Sequence, residues 1–143
     1  MLAPIVFGTA DAVFLFLLCS IAYYGRGAHR NHRGDFPTWE WHVARHLRFI
    51  RSLIVFCIAV SLVLPLFIEP QLRAEIVRPA PTGLYAVHFA CIGIFLVLLS
   101  VLYTKVTGIK MRNVHGLLGW TCVGFGGGIL LFGTVLAFTL FRH

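Results

Sequence analysis

The sequence predicts an all-α fold, a single-domain bundle of four transmembrane helices in an up-down-up-down arrangement. Of the 143 residues, 59% are hydrophobic and 12% are charged, whereas a soluble domain carries about 25% charged residues. The mean hydropathy is +0.87. The apolar residues form four runs, and each approaches the ~20 residues that a helix needs to cross the hydrocarbon core. These observations favour a multi-pass membrane protein.

The four runs give the predicted helices, which are joined by a basic first loop at residues 25–45 and two shorter loops. The first run has no basic start and ends in YYGRG, not in a small-residue cleavage site, so it is interpreted as a mature helix and not as a signal peptide. Short loops favour antiparallel neighbours. The runs lie at roughly 3–24, 49–68, 83–104 and 115–141.

The net charge of +7 is concentrated in the first and third loops. By the positive-inside rule these loops are cytoplasmic and both termini lie outside. The basic residues therefore indicate topology and contact with anionic lipid of the bilayer, and they do not favour nucleic acid as a partner. Aromatic residues near the ends of the runs, Tyr24 and Tyr103 among them, fit the interfacial aromatic belt.

Three histidines belong to the predicted cytoplasmic side of the bundle. His42 and His46 share one helical face at the start of helix two, because they are spaced i, i+4. His115 stands at the start of helix four, and alternating helices bring it to the same level. Ionisable groups at membrane depth are costly and need an explanation. His46 and His115 are therefore candidate ligands of a cofactor, with His42 replacing His46 if helix two starts earlier.

The face of helix four next to His115 lacks bulky side chains. Gly119 and Gly126 follow His115 on this face, and a flat macrocycle fits such a surface. We therefore expect a haem b between helices two and four, with His46 and His115 as its axial ligands and Arg48 near a propionate. Copper on the same histidines, or imidazoles hydrogen-bonded to interfacial water, are the alternatives.

Close helix packing explains the glycines of helix four equally well. The segment HGLLGWTCVGFGGGILLFG follows no strand, so it is not a nucleotide-binding loop. The spacings from Gly116 to Gly119 and from Gly124 to Gly128 let another helix or a flat ligand approach the backbone.

A second polar group belongs to the predicted outer side and comprises Asp11, Glu69 and His88. These residues either bind a metal ion, receive a quinone headgroup or relay a proton, or they form an ion pair that fixes the helix register. An unpaired Asp11 costs several kcal/mol in lipid. No nucleophile has a recognisable base partner nearby, so the chain shows no self-contained catalytic constellation, and its being an enzyme or a subunit of an oxidoreductase is left open.

The segments IAYYGRGAHRNHR, YAVHF and NVHGLLGW, together with the histidine at the start of helix two, resemble a small family of four-helix bacterial membrane proteins linked to haem–copper oxidase assembly. The resemblance implies a bacterial inner-membrane, respiratory setting and marks His46, His88 and His115 as metal or cofactor positions. The family carries a further histidine where this chain has Glu69, and the first loop here is longer.

Two functions follow from these patterns. The leading one is a redox-cofactor protein that acts in electron transfer or oxidase maturation within a larger respiratory membrane complex. The alternative is a cofactor-free accessory or structural subunit of a larger membrane complex, which the glycine-rich helix and the small extramembrane mass favour. A quinone- or proton-handling subunit that uses Asp11 and His88 is a third hypothesis.

Overall fold

A computed structural model describes residues 1–30, 36–76, 82–109 and 114–140. The described residues form four helices, each with a stretch that is long and apolar enough to cross a membrane. The all-α four-helix class is therefore confirmed, and the helices are those expected of a multi-pass membrane protein. They are α1 (Leu2–Arg30), α2 (Phe36–Ile76), α3 (Thr82–Thr107) and α4 (Val114–Leu140).

The helices extend further than the apolar runs predicted. Residues 25–30 belong to α1 and residues 36–45 belong to α2, so most of the predicted basic loop is helical. Hydropathy marks only the part of a helix that lies in lipid, and charged residues are compatible with helix outside it. Pro37 falls in the first turn of α2, where a proline costs no hydrogen bond.

The helices alternate in direction. α1 and α3 are parallel: Gly8 packs against Cys91 near the start of both, and the hydroxyls of Tyr24 and Tyr103 are 2.9 Å apart near their ends. α3 is the central helix and packs extensively on α4 and α1, whereas α2 and α4 do not pack against each other in the described part of the chain.

Glu75, near the end of α2, holds the start of α1. Its carboxylate oxygens accept hydrogen bonds from the backbone N–H groups of Leu2, at 2.9 Å, and Ala3, at 2.8 Å. The first N–H groups of a helix have no acceptor within that helix, and a negative charge is favourable at this end. The contact also shows that α2 runs antiparallel to α1.

Glycines bring α3 and α4 into backbone contact. A Cβ on Gly93 would lie 2.6 Å from the Val123 nitrogen, and a Cβ on Gly126 would lie 2.6 Å from the Ala86 oxygen. Gly119 faces the same helix, since its Cβ would lie 2.8 Å from the Gly93 oxygen. The groove of Gly119 and Gly126, predicted to hold a macrocycle, is therefore occupied by α3. Helix packing is the role that the structure gives to these two glycines.

The core lies towards one end of the bundle. We call this the basic end: α1 and α3 finish there, α2 and α4 begin there, and Arg45 and Arg48 lie on it. At the opposite end the side chains of residues 130–140 are all exposed. The buried apolar core comprises Ala12, Phe16, Phe49, Ile92, Leu96, Tyr103 and Ile109.

Candidate functional site: a histidine cluster at the basic end

The structure brings His46 and His115 into one buried polar group, the histidine cluster. His46 is 6% exposed and His115 is 2% exposed. The two histidines thus lie at the same end of the bundle, but α2 and α4 do not pack against each other in the described chain, and side chains of α1 and α3 lie between the two rings. The cluster comprises Phe16, Ser20 and Tyr24 of α1, His46 of α2, Tyr103 of α3 and His115 of α4.

A chain of hydrogen bonds fixes His46. Its Nδ1 lies 3.0 Å from the Tyr103 hydroxyl, which lies 2.9 Å from the Tyr24 hydroxyl. A phenol both donates and accepts, so Tyr103 connects its two neighbours. The Tyr24 ring also stacks on the His46 ring with a centroid separation of 3.8 Å. These contacts tie α1, α2 and α3 together.

His115 is held by α1. Its Nε2 lies 3.4 Å from the Ser20 hydroxyl, and the Phe16 backbone is a further hydrogen-bond partner of the ring. The Phe16 side chain stacks on the imidazole at 4.4 Å between centroids. A buried imidazole without such partners costs free energy, so these contacts explain how His115 is accommodated.

The arrangement does not fit a haem between His46 and His115. The Phe16 ring lies against His115 and is 5.8 Å from the Tyr103 ring, and Tyr103 in turn contacts His46. These side chains stand where the macrocycle would lie, and α2 and α4 are not neighbours among the described residues. The haem b stays a prediction that requires Phe16 and Tyr103 to move.

Two other predicted cofactor residues lie near the cluster on α2. His42 is half-buried one turn before His46. Arg48 is exposed, and its Nε is 3.5 Å from the Ala44 oxygen on the same helix. Copper also stays a prediction. Within the described ranges, no three His, Cys, Asp or Glu side chains are grouped so as to hold a metal ion.

The outer polar residues are brought together only in part. His88 Nε2 lies 2.9 Å from Asp11 Oδ2, which joins α3 to α1. Glu69 instead pairs with Arg73 on its own helix, so the predicted site of three residues is reduced to one pair. Whether this pair fixes the helix register or belongs to a ligand or proton site stays a prediction.

Several residues of the cluster were missed from the sequence. Tyr24 and Tyr103 were predicted to lie in the interfacial belt, but Tyr103 is fully buried. A buried tyrosine hydroxyl needs a partner, and the position of Tyr103 near the end of its helix, level with His46 and His115, was an available signal. Phe16 and Ser20 carry no signal that separates them from other apolar or small helix residues.

No protein-family model matches the chain, and neither a curated protein nor a solved structure matches it. The likeness to the oxidase-assembly family therefore rests on the short segments quoted above. It stays a prediction, as does the respiratory setting that it implies.

Proposed function

We propose that this chain is a cofactor-free accessory subunit that docks through α4 against a transmembrane helix of a larger respiratory membrane complex. The observation that carries the proposal is the outer glycine face, which we define as Gly124 and Gly128. A Cβ at either position would meet no atom of the described chain within 4 Å. Each lies about 200° around the helix from Gly126, on the side turned away from α3.

The outer glycine face gives this chain no packing of its own. A glycine in a helix interior costs about 1 kcal/mol relative to alanine. Gly119 and Gly126 offset that cost by close contact with α3, whereas Gly124 and Gly128 do not. Small residues in transmembrane helices let a second helix backbone approach closely. Lipid tails pack against a helix surface without requiring small residues there. A helix is therefore the occupant that explains the face.

A larger partner suits the chain better than a second copy does. Tyr103 bonds to His46 Nδ1 and to Tyr24, and Ser20 bonds to His115. The described residues hold no group of three or more metal donors. In this proposal the activity belongs to the partner, which is therefore a different protein. The exposed apolar end of α4 extends the docking surface, with Leu131, Phe132, Val135, Leu136, Phe138 and Leu140.

We expect the double substitution Gly124→Leu and Gly128→Leu to release the chain from its complex. Overpacking of a close contact costs about 1–3 kcal/mol, so the affinity for the partner falls by about five- to 150-fold. Native gel electrophoresis of tagged chain from its own membranes, with mass spectrometry of the band, measures this.

Gly133→Leu is the matched control. Gly133 is also open, but it lies about 180° from Gly124 and about 140° from Gly128 around the helix, so this variant should stay in the complex. The proposal fails if the double variant keeps its partner, if the wild-type chain migrates alone, or if the band contains only copies of this chain.

Cofactor binding is the second candidate, and one observation favours it. Metal-ligating imidazoles commonly have their other nitrogen held by a hydrogen-bond partner, and Tyr103 holds His46 Nδ1 in this way. A haem b or a copper ion there would supply electron transfer or act in oxidase maturation. The chain's own contribution is to hold the two imidazoles at one level.

A further inference from the structure

A groove of about 550 Å³ runs between α2 and α3 at the basic end, separate from the histidine cluster and from the outer glycine face. Its two ends differ in chemistry. Arg45, Arg48 and Thr107 line the end nearest the helix termini, and Phe56 and Leu99 line the end deepest in the bundle. On α2 it spans about 16 Å, since a helix rises about 1.5 Å per residue.

The cationic end of the groove is built into the fold. Arg45 Nη1 donates to the Thr107 backbone oxygen at 2.6 Å, so its guanidinium is held at the end of α3, where the helix dipole favours a cation. Gly108 has a φ of 70° in the turn that ends α3, and a Cβ there would lie 3.2 Å from Arg45 Nη1. Arg48 lies one turn further along α2 and is exposed.

We propose that this groove binds one anionic phospholipid of the surrounding bilayer. The phosphate lies against Arg45 and Arg48, because guanidinium groups match phosphate oxygens in charge and geometry. An acyl chain follows the apolar walls towards the centre of the bilayer. The charge of the polar end and the apolar length below it select an anionic amphiphile. The headgroup of a zwitterionic lipid carries a positive group beside its phosphate, and the same arginines repel that group. The walls that receive the acyl chain comprise Phe49, Leu53, Phe56, Leu99, Leu102 and Val106.

The test compares lipid binding by native mass spectrometry of the purified full chain, titrated with phosphatidylglycerol or phosphatidylcholine. One basic residue near an anionic membrane surface changes the affinity for that surface about fivefold. We expect one phosphatidylglycerol to bind the wild-type chain in preference to phosphatidylcholine, and Arg48→Gln to weaken it about fivefold.

Two variants make the result decisive. Arg51→Gln removes the same charge from an exposed position on the next turn, outside the groove, and should leave binding unchanged. Ser52→Phe fills the groove without a change in charge and should reduce binding. Equal losses in Arg51→Gln and Arg48→Gln, or equal binding of the two lipids, would overturn the proposal, because either result indicates diffuse attraction without a site. If Ser52→Phe does not fold, the two arginine variants decide alone.

Discussion

Replacing Gly126 with leucine is expected to destabilise the bundle strongly. Its Cβ would lie 2.6 Å from the Ala86 oxygen and 2.8 Å from the Ala90 nitrogen, and backbone atoms cannot rotate away as a side chain can. α3 and α4 then have to separate along the most extensive contact in the protein. Overpacking usually costs 1–3 kcal/mol, and a collision with backbone lies at the upper end, so we expect a loss of about 3 kcal/mol or more.

Thermal unfolding in detergent, followed together with the gel-filtration profile, measures this loss. Gly93→Leu should behave in the same way, because a Cβ there meets the backbone of α4. Gly127→Leu gains the same side chain in open space and should melt at the wild-type temperature or slightly above it. If the Gly126→Leu protein is monodisperse and unfolds at the same temperature as the Gly127→Leu protein, the α3–α4 contact described above is contradicted.

Removing the Tyr103 hydroxyl is expected to be the next most damaging change, because this one atom bonds to the buried His46 and to the half-buried Tyr24. In Tyr103→Phe the Tyr24 hydroxyl and His46 Nδ1 lose their shared contact. Leaving the buried His46 nitrogen unpaired costs about 1–3 kcal/mol, so we expect about 1–3 kcal/mol of lost stability. The variant should also make His46 more reactive towards diethyl pyrocarbonate, since its ring is no longer fixed.

The control is Tyr85→Phe, which removes a hydroxyl from a side chain that is 56% exposed. It should unfold at the same temperature as the wild-type chain and leave the modification rate of His46 unchanged. If Tyr103→Phe proves as stable as Tyr85→Phe, the cluster does not hold the helices together, and its role in the fold is refuted.

The fold class was predictable because a segment in lipid can adopt only a few backbone structures. A segment in the hydrocarbon core has to satisfy its backbone internally, so apolar runs of spanning length become helices, and short loops make neighbours alternate. The same reasoning places His46 and His115 at one level. Helix ends were not predictable in this way, because hydropathy reports the surrounding solvent and does not report where the backbone stops being helical.

The identity of neighbouring helices was the missing information. Helices three and four are apolar on every side, so their sequence does not indicate which face meets which partner. The contact of Gly93 with α4, the capping of α1 by Glu75 and the central position of Tyr103 all depend on that choice. The predicted haem site was affected by the same gap, because it was placed between two helices that are not neighbours in the described structure.

The central claim is the proposal that the chain works without a cofactor of its own. It is tested most directly by an oxidised and a dithionite-reduced absorbance spectrum, with metal analysis, of the Gly124→Leu and Gly128→Leu chain freed from its partner. This sample avoids haem that belongs to a respiratory complex. We predict no haem band and far less than one metal ion per chain. A reduced α band of b-type haem, or a stoichiometric copper, that disappears in His115→Ala would contradict the account.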